Sequence, residues 1–175
     1  AWDEALAGLA EKAESYGVRV AVIEPGQSIR EGEMTVTCIQ PGNMEMGGDA
    51  GLEPGNAASM VLAVRYGGFD MLLTGDVEEE GERRLTKILE EQYQGCEWEV
   101  LKVAHHGSKS SSAEGFLQQI RPAYAFISAG KENRYGHPHE ETIKRLTDVG
   151  SKVYSTQENG AITVEVEDGE ITKIH

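Results

Sequence analysis

The chain has 175 residues, 39% of them hydrophobic and 26% charged, with a formal net charge of −14. That length suits one domain with a sizeable core, and no apolar run approaches the roughly eighteen residues of a membrane span. The acidic balance argues against a plain electrostatic nucleic-acid binder, and two cysteines, Cys38 and Cys96, make neither a disulfide framework nor a Cys-rich zinc site. The charge is uneven: residues 100–155 hold eight Lys+Arg against five Asp+Glu, so a locally basic surface on an acidic body stays open. The first residues, Ala1-Trp2-Asp3-Glu4, show no basic or apolar leader pattern.

Residues 3–15 place Leu6, Leu9, Ala10 and Ala13 on one face of an expected helix that stops at Gly17. Val18 to Ile23 reads as a strand, and Met34 to Ile39 as another. Residues 42–57, rich in Gly, Met, Asn and Ala without periodicity, read as loop. Ser59–Tyr66 and Phe69–Leu73 flank Gly67-Gly68 and predict a hairpin. The acidic run Glu78–Glu82 suits the first turn of a helix reaching about Tyr93.

Val100–Ala104 is an expected strand that runs into His105-His106-Gly107-Ser108. Ser110-Ser111-Ser112 would cap a helix over about 113–120. A strand over 123–128, a loop over 130–138, a helix over 139–149 and a strand over 152–155 follow, and a hairpin turning at Asp168-Gly169 ends the chain. No repeat or second domain is visible, so the expected organisation is one domain over 1–175. Alternating strands and helices between two hairpins predict an α/β (α+β) fold with a mixed sheet.

Three loops after strands carry metal-capable residues: Thr74-Gly75-Asp76, His105-His106-Gly107-Ser108 and Arg134-Tyr135-Gly136-His137-Pro138-His139. The carboxyl ends of strands form the ligand-binding edge of an open α/β sheet. Each motif has a plain alternative: Asp76 as a helix cap, the His pair as one buried and one exposed ring, His-Pro-His as a turn. Together, an aspartate and several histidines are a ligand set for zinc or manganese in hydrolytic sites. No phosphate-binding glycine motif and no nucleophile elbow occurs.

Leu72-Leu73-Thr74-Gly75-Asp76, Leu101-Lys102-Val103-Ala104-His105-His106-Gly107-Ser108, Ile127-Ser128-Ala129-Gly130 and Asn133-Arg134-Tyr135-Gly136-His137-Pro138-His139 resemble the metallo-β-lactamase-fold domain of ComEC-type competence proteins. The resemblance covers roughly residues 56–166, including Asn56-Ala57-Ala58-Ser59 and Asn159-Gly160. It implies an αββα sandwich, here partial, and a two-metal phosphodiesterase or nuclease site holding zinc or manganese. In those membrane channels for DNA uptake, the domain is thought to degrade the strand that is not transported. Asp76 matches the bridging carboxylate and His105 or His106 a metal-binding histidine. His137 and His139 match a catalytic loop near the metals that would bind phosphate or move a proton.

Asn56 and Ser59 stand where many superfamily members carry another metal-binding histidine. Asn56, Ser59, Gly107, Ser108, Lys109 and Arg134 are the expected phosphate or DNA contacts, while Lys102 points from a strand and reads as structural. The superfamily signature H-x-H-x-D-H is absent. The chain therefore reads as the second half of such a domain, inactive alone and without two metal ions of its own. A metal-free relative is the alternative. The implied partners are single-stranded DNA and the channel part of the same parent protein, and the implied place is the extracytoplasmic side of a bacterial plasma membrane. Homodimers are a further expectation, since half a sandwich bares apolar faces. The rival functions are a non-catalytic DNA- or partner-binding module and a metallo-hydrolase of small substrates on the same fold.

Overall fold

The computed structural model describes residues 4–41 and 55–175. Helix α1 covers Glu4–Ser15. A hairpin of β1 (Ser28–Glu31) and β2 (Met34–Gln40) leads to β3 (Val61–Tyr66) and β4 (Phe69–Leu73), then α2 (Glu79–Gln92). Strand β5 (Val100–Lys102), α3 (Glu114–Ile120), β6 (Tyr124–Ile127), α4 (Glu140–Asp148) and β7 (Lys152–Ser155) alternate after it. The short α5 (Thr156–Asn159) and the hairpin of β8 (Val164–Glu167) and β9 (Glu170–Ile174) complete the order.

Seven strands form one mixed sheet in the order β1-β2-β3-β4-β5-β6-β7. The first four pair antiparallel, β1 with β2 and β3 with β4 through short hairpins. From β4 onward the pairing is parallel, because α2, α3 and α4 carry the chain back to the same end each time. The α/β class with a mixed sheet is therefore as expected. Strands β8 and β9 make a separate two-stranded sheet.

Period-two alternation sorts the strand side chains between two cores. Leu72, Leu101, Val103, Ala125 and Ile127 face one side and pack with Leu85 and Leu89 of α2, Phe116, Leu117 and Ile120 of α3 and Leu146 of α4. Phe69, Val100 and Phe126 face the other side, where Met71, Tyr124 and Tyr154 join Ile162, Val164, Val166, Ile171 and Ile174 around the terminal hairpin. Helices thus cover one face of the large sheet and a hairpin covers part of the other.

Four expectations need correction. Residues 18–24 are not a strand: no ladder pairs them among the described residues, and Val18 and Val22 are exposed. β propensity does not make a strand without a partner. The expected loop over 42–57 lies outside the described residues up to 54, but Asn56–Ala58 is a 3₁₀ turn. The strand β1 was not foreseen; it follows from Gly32-Glu33 folding Ser28–Glu31 back on β2, with Ser28 pairing Thr37. The cap of α3 is not a serine: Ala113 holds the N-cap position, and the Glu82 carboxylate of α2 accepts the Ser112 and Ala113 amides at 2.5 and 2.7 Å.

Gly81 decides how α2 meets the sheet. A Cβ there would stand 2.0 Å from the Ala57 carbonyl oxygen and 2.8 Å from Val77. Its own carbonyl accepts the side-chain amide of buried Gln40 at 3.1 Å. Gly81→Ala would gain about 1 kcal/mol of intrinsic helix propensity. The backbone collision outweighs that gain, so the variant is expected to unfold at lower urea concentration than wild type. Equilibrium denaturation followed by circular dichroism measures the difference.

Candidate active site

The parallel strands β4, β5 and β6 end at one edge, and the residues singled out in the sequence follow them there. Asp76 comes three residues after β4, and Gly75 lets the chain turn sharply with φ +54. A side chain at Gly75 would meet the Met60 carbonyl at 2.9 Å and Ser59 at 3.3 Å, which places the start of β3 against this loop. Asp76 does not cap α2; the N-cap position belongs to Glu78. The Asp76 carboxylate is instead 44% exposed and lies 3.7 Å from His106 Nε2.

After β5 the chain makes a 3₁₀ turn, Ala104–Gly107, in which His105 and His106 both take left-handed backbone angles, φ 44 and 55. Such angles cost a non-glycine residue of order 1–3 kcal/mol and persist only when the surroundings enforce them. Here the His105 amide donates to the Gly75 carbonyl at 3.1 Å, and the His105 carbonyl accepts the Ser108 amide at 2.9 Å. Gly107 must be glycine: φ is +83 and a Cβ would lie 2.6 Å from that of Pro138. That contact brings the third loop in, and the His139 amide donates to the Gly107 carbonyl at 2.9 Å.

The two neighbouring histidines have different partners. His106 Nδ1 lies 2.7 Å from the Ser128 carbonyl. A carbonyl only accepts, so Nδ1 carries the proton and the neutral ring presents the Nε2 lone pair towards Asp76. His105 Nδ1 lies 2.6 Å from Glu78 Oε1. The same carboxylate receives the Ser110 hydroxyl, and its other oxygen accepts the Asn56 side-chain amide at 2.9 Å. Burial alone would raise the Glu78 carboxyl, but the bonds from Ser110, Asn56 and His105 outweigh it and hold the group below its ordinary range.

His137 sits buried at the centre of a ring cluster. Its centroid lies 4.9 Å from that of His139, 5.3 Å from His105, 5.7 Å from Tyr135 and 6.4 Å from His106. Burial first, then the neighbouring imidazoles, push its proton affinity down. Asn133 holds its backbone from both sides, accepting the His137 amide at 2.9 Å and donating to its carbonyl at 2.6 Å. His139 Nδ1 accepts the Lys109 amide at 3.1 Å, so its neutral ring carries the proton on Nε2.

The remaining candidates spread around this cluster. Ser108 is buried, with its amide on His105 and its hydroxyl 2.7 Å from that of Ser110. Lys109 is exposed, and the exposed Arg134 stacks its guanidinium 4.8 Å from the Tyr135 ring centre. Lys102, read as structural, is partly buried beside the site: its ammonium donates to the Val103 carbonyl at 2.8 Å, burial lowers its proton affinity, and Asp76 pulls it back up. Glu78 is the residue that the sequence reading missed as a site member. Its signal, an acidic residue at a helix start, is too common to stand out.

A metal can be tested against these donors. Asp76 and His106 face each other at 3.7 Å, and with the ring neutral the pair presents a carboxylate oxygen and an imidazole lone pair. A bound divalent cation would relieve that opposition, and the Ser128 carbonyl behind His106 is the usual support of a ligand histidine. Among the described residues, however, no group of three or more His, Cys, Asp or Glu could hold an ion. The pair fits part of a metal site and not a whole one.

In sequence, the chain is similar to three competence or recombination proteins. It is 44% identical over 107 residues to ComE operon protein 3 of Bacillus subtilis, across 61% of this chain and 13% of that protein. It is 38% identical over 109 residues to Recombination protein 2 of Haemophilus influenzae, and 39% over 108 residues to Competence protein ComA of Neisseria gonorrhoeae. These matches span only 13–15% of each relative's length. No family model matches the chain. In structure it resembles a mutant of the CmlA beta-hydroxylase, with TM-score 0.54 and 11% identity over 85% of this chain and 34% of that one. The metallo-beta-lactamase fold protein YhfI of Bacillus subtilis superposes at TM-score 0.47, too slight a likeness to argue from.

The Glu78 network predicts a pH-dependent stability. A carboxyl held below its unfolded value, about 4.5, stabilises the fold above that pH and loses the contribution as pH falls through the lower folded value. Wild type should therefore exceed Glu78→Gln in stability by about 1–3 kcal/mol at pH 7, with the gap closing as pH falls below 4.5. Paired urea titrations across that range read the difference.

Proposed function

We propose that this chain, a metallo-β-lactamase-fold relative of the competence proteins, supplies one side of a metal-dependent phosphodiesterase site that degrades single-stranded DNA during uptake. The observation that carries the reading is the Asp76–His106 pair, a carboxylate and an oriented imidazole opposed at 3.7 Å on the edge where three parallel strands end. The competence and recombination proteins that it resembles support the process, and the donor chemistry supports the reaction class.

In this reading Asp76 and His106 are the metal-binding residues of the chain, and further ligands come from elsewhere in a longer parent polypeptide. A divalent ion of the zinc or manganese kind, when bound, lowers the pKa of its water and polarises a phosphoryl oxygen. The chain's own residues do the rest. His139, protonated at Nε2 because the Lys109 amide occupies Nδ1, is suited to donate to a phosphate oxygen. Lys109 and Arg134 add positive charge for the neighbouring backbone phosphates, within residues 100–155, where Lys+Arg outnumber Asp+Glu. Asn56 and Ser59 line the same edge, with Asn56 committed to Glu78. Extracytoplasmic placement beside a membrane channel is part of the proposal; no helix among the described residues is long and apolar enough to cross a membrane.

A second reading, a DNA- or partner-binding module without catalysis, is favoured by the count of only two opposed donors. Measurements on the isolated chain and on the parent protein test these readings. The isolated chain should show no stoichiometric, sub-micromolar binding of zinc or manganese by calorimetry, since half a ligand set loses most of the affinity. In the parent protein, Asp76→Asn should lower manganese-dependent cleavage of single-stranded DNA at least about 100-fold, the scale lost with one charge-stabilising group. Lys109→Ala should instead weaken DNA binding and reduce its salt slope by about one unit while metal content is unchanged. Full activity of Asp76→Asn would leave the non-catalytic module.

A further inference from the structure

We propose that Glu78 is a positioning residue that fixes the tautomer of His105, with the proton on Nδ1 and a bare lone pair on Nε2. The argument starts from the 2.6 Å separation between His105 Nδ1 and Glu78 Oε1. A carboxylate oxygen is only an acceptor, so this distance requires the ring nitrogen to be the donor. Asn56 offers no competing acceptor. Its amide nitrogen lies 3.4 Å from His105 Nδ1 and 2.9 Å from Glu78 Oε2. The short contact to a carboxylate identifies that Asn56 atom as the NH₂ group, so it cannot be the acceptor of the ring proton.

The hydroxyls can then be oriented as well. Ser110 gives its single proton to Glu78 Oε1, so in the 2.7 Å pair with Ser108 it is Ser108 that donates. A chain of donors, Ser108 to Ser110 and then Asn56, Ser110 and His105, converges on one carboxylate. Glu78 itself is held at the start of α2, whose first-turn dipole favours a negative charge. His105 is thus tied in backbone by Gly75 and Ser108 and in ring by Glu78.

The consequence is a division of labour among the histidines. His106 and His105 both expose an Nε2 lone pair, one backed by a carbonyl and the other by a carboxylate. His139, with Nδ1 occupied as an acceptor, exposes an N–H instead. One loop thus carries two imidazole lone pairs and the other a ring proton donor. Any use of the His105 lone pair in a reaction rests on the function proposed above; the tautomer does not.

Long-range proton–nitrogen correlation spectra of the uniformly ¹⁵N-labelled 175-residue chain test it. They are recorded near pH 8.5, about two units above the ordinary histidine value, so that the rings are neutral. Wild type should show His105 as the Nδ1–H form, favoured at least about tenfold by a bond to a charged acceptor. Ser110→Ala, which leaves the carboxylate in place, should keep that form. Glu78→Ala should lose it in favour of an Nε2–H form or an averaged signal.

An Nε2–H or averaged His105 ring in wild type overturns the proposal without any variant, so a failure of Glu78→Ala to fold leaves it testable. Retention of the Nδ1–H form in a folded Glu78→Ala overturns it equally. The spectra need neither metal nor DNA, so loss of the nuclease reading and loss of this assignment are separate results.

Discussion

A single carboxylate holds the candidate site together. Glu78 accepts from the turn before β3, the 3₁₀ turn after β5 and the serine loop before α3. The turn at Asn56 lies far along the chain from the other two, which follow one another directly. Hydrogen bonds to an ionised group are roughly twice as strong as neutral ones, so one side chain can tie these segments to one another. The tight approach of α2 to Asn56–Ala58 at Gly81 is what brings Glu78 within reach of Asn56.

A second carboxylate on the same helix works one turn further on. Glu82 is almost wholly buried and accepts two backbone amides at the start of α3. Burial raises its pKa, while those amides and Arg145 draw it back down. Arg145 of α4 in turn donates to the Lys109 and Ser111 carbonyls. The loop 108–112 is therefore clamped from α2 and α4 together, which accounts for a run of small polar residues being buried at the mouth of a site. Stiff support of this kind is what a constellation of oriented histidines needs.

The histidine cluster shows how backbone strain and packing cooperate. Two adjacent residues in left-handed conformation turn their rings to different partners, one to Glu78 and one to Ser128. Gly107 then lets Pro138 close against the turn, and His137 fills the space between. The basic stretch 100–155 encloses this region, so the acidic balance of the whole chain gives a poor account of the surface where an anionic ligand would arrive.

Much was legible in the residues themselves. Apolar alternation and the Gly67-Gly68 and Asp168-Gly169 turns marked the β3–β4 and β8–β9 hairpins, because side-chain period and positive-φ glycines are local properties. Alternating strands and helices pointed to parallel pairing and so to the edge where Asp76, His105, His106, His137 and His139 gather. What the tertiary structure alone decided was pairing and partnership. Val18–Ile23 has strand-like residues and no ladder, while Ser28–Glu31 has unremarkable residues and a partner. Glu78 and Glu82 look alike in sequence, as acidic residues of a helix start, yet one binds a histidine and the other caps a helix. Which of two adjacent histidines faces Asp76 was likewise undetermined, since both rings carry the same atoms. Only the Ser128 carbonyl, brought in by the β5–β6 pairing, turns His106 towards it.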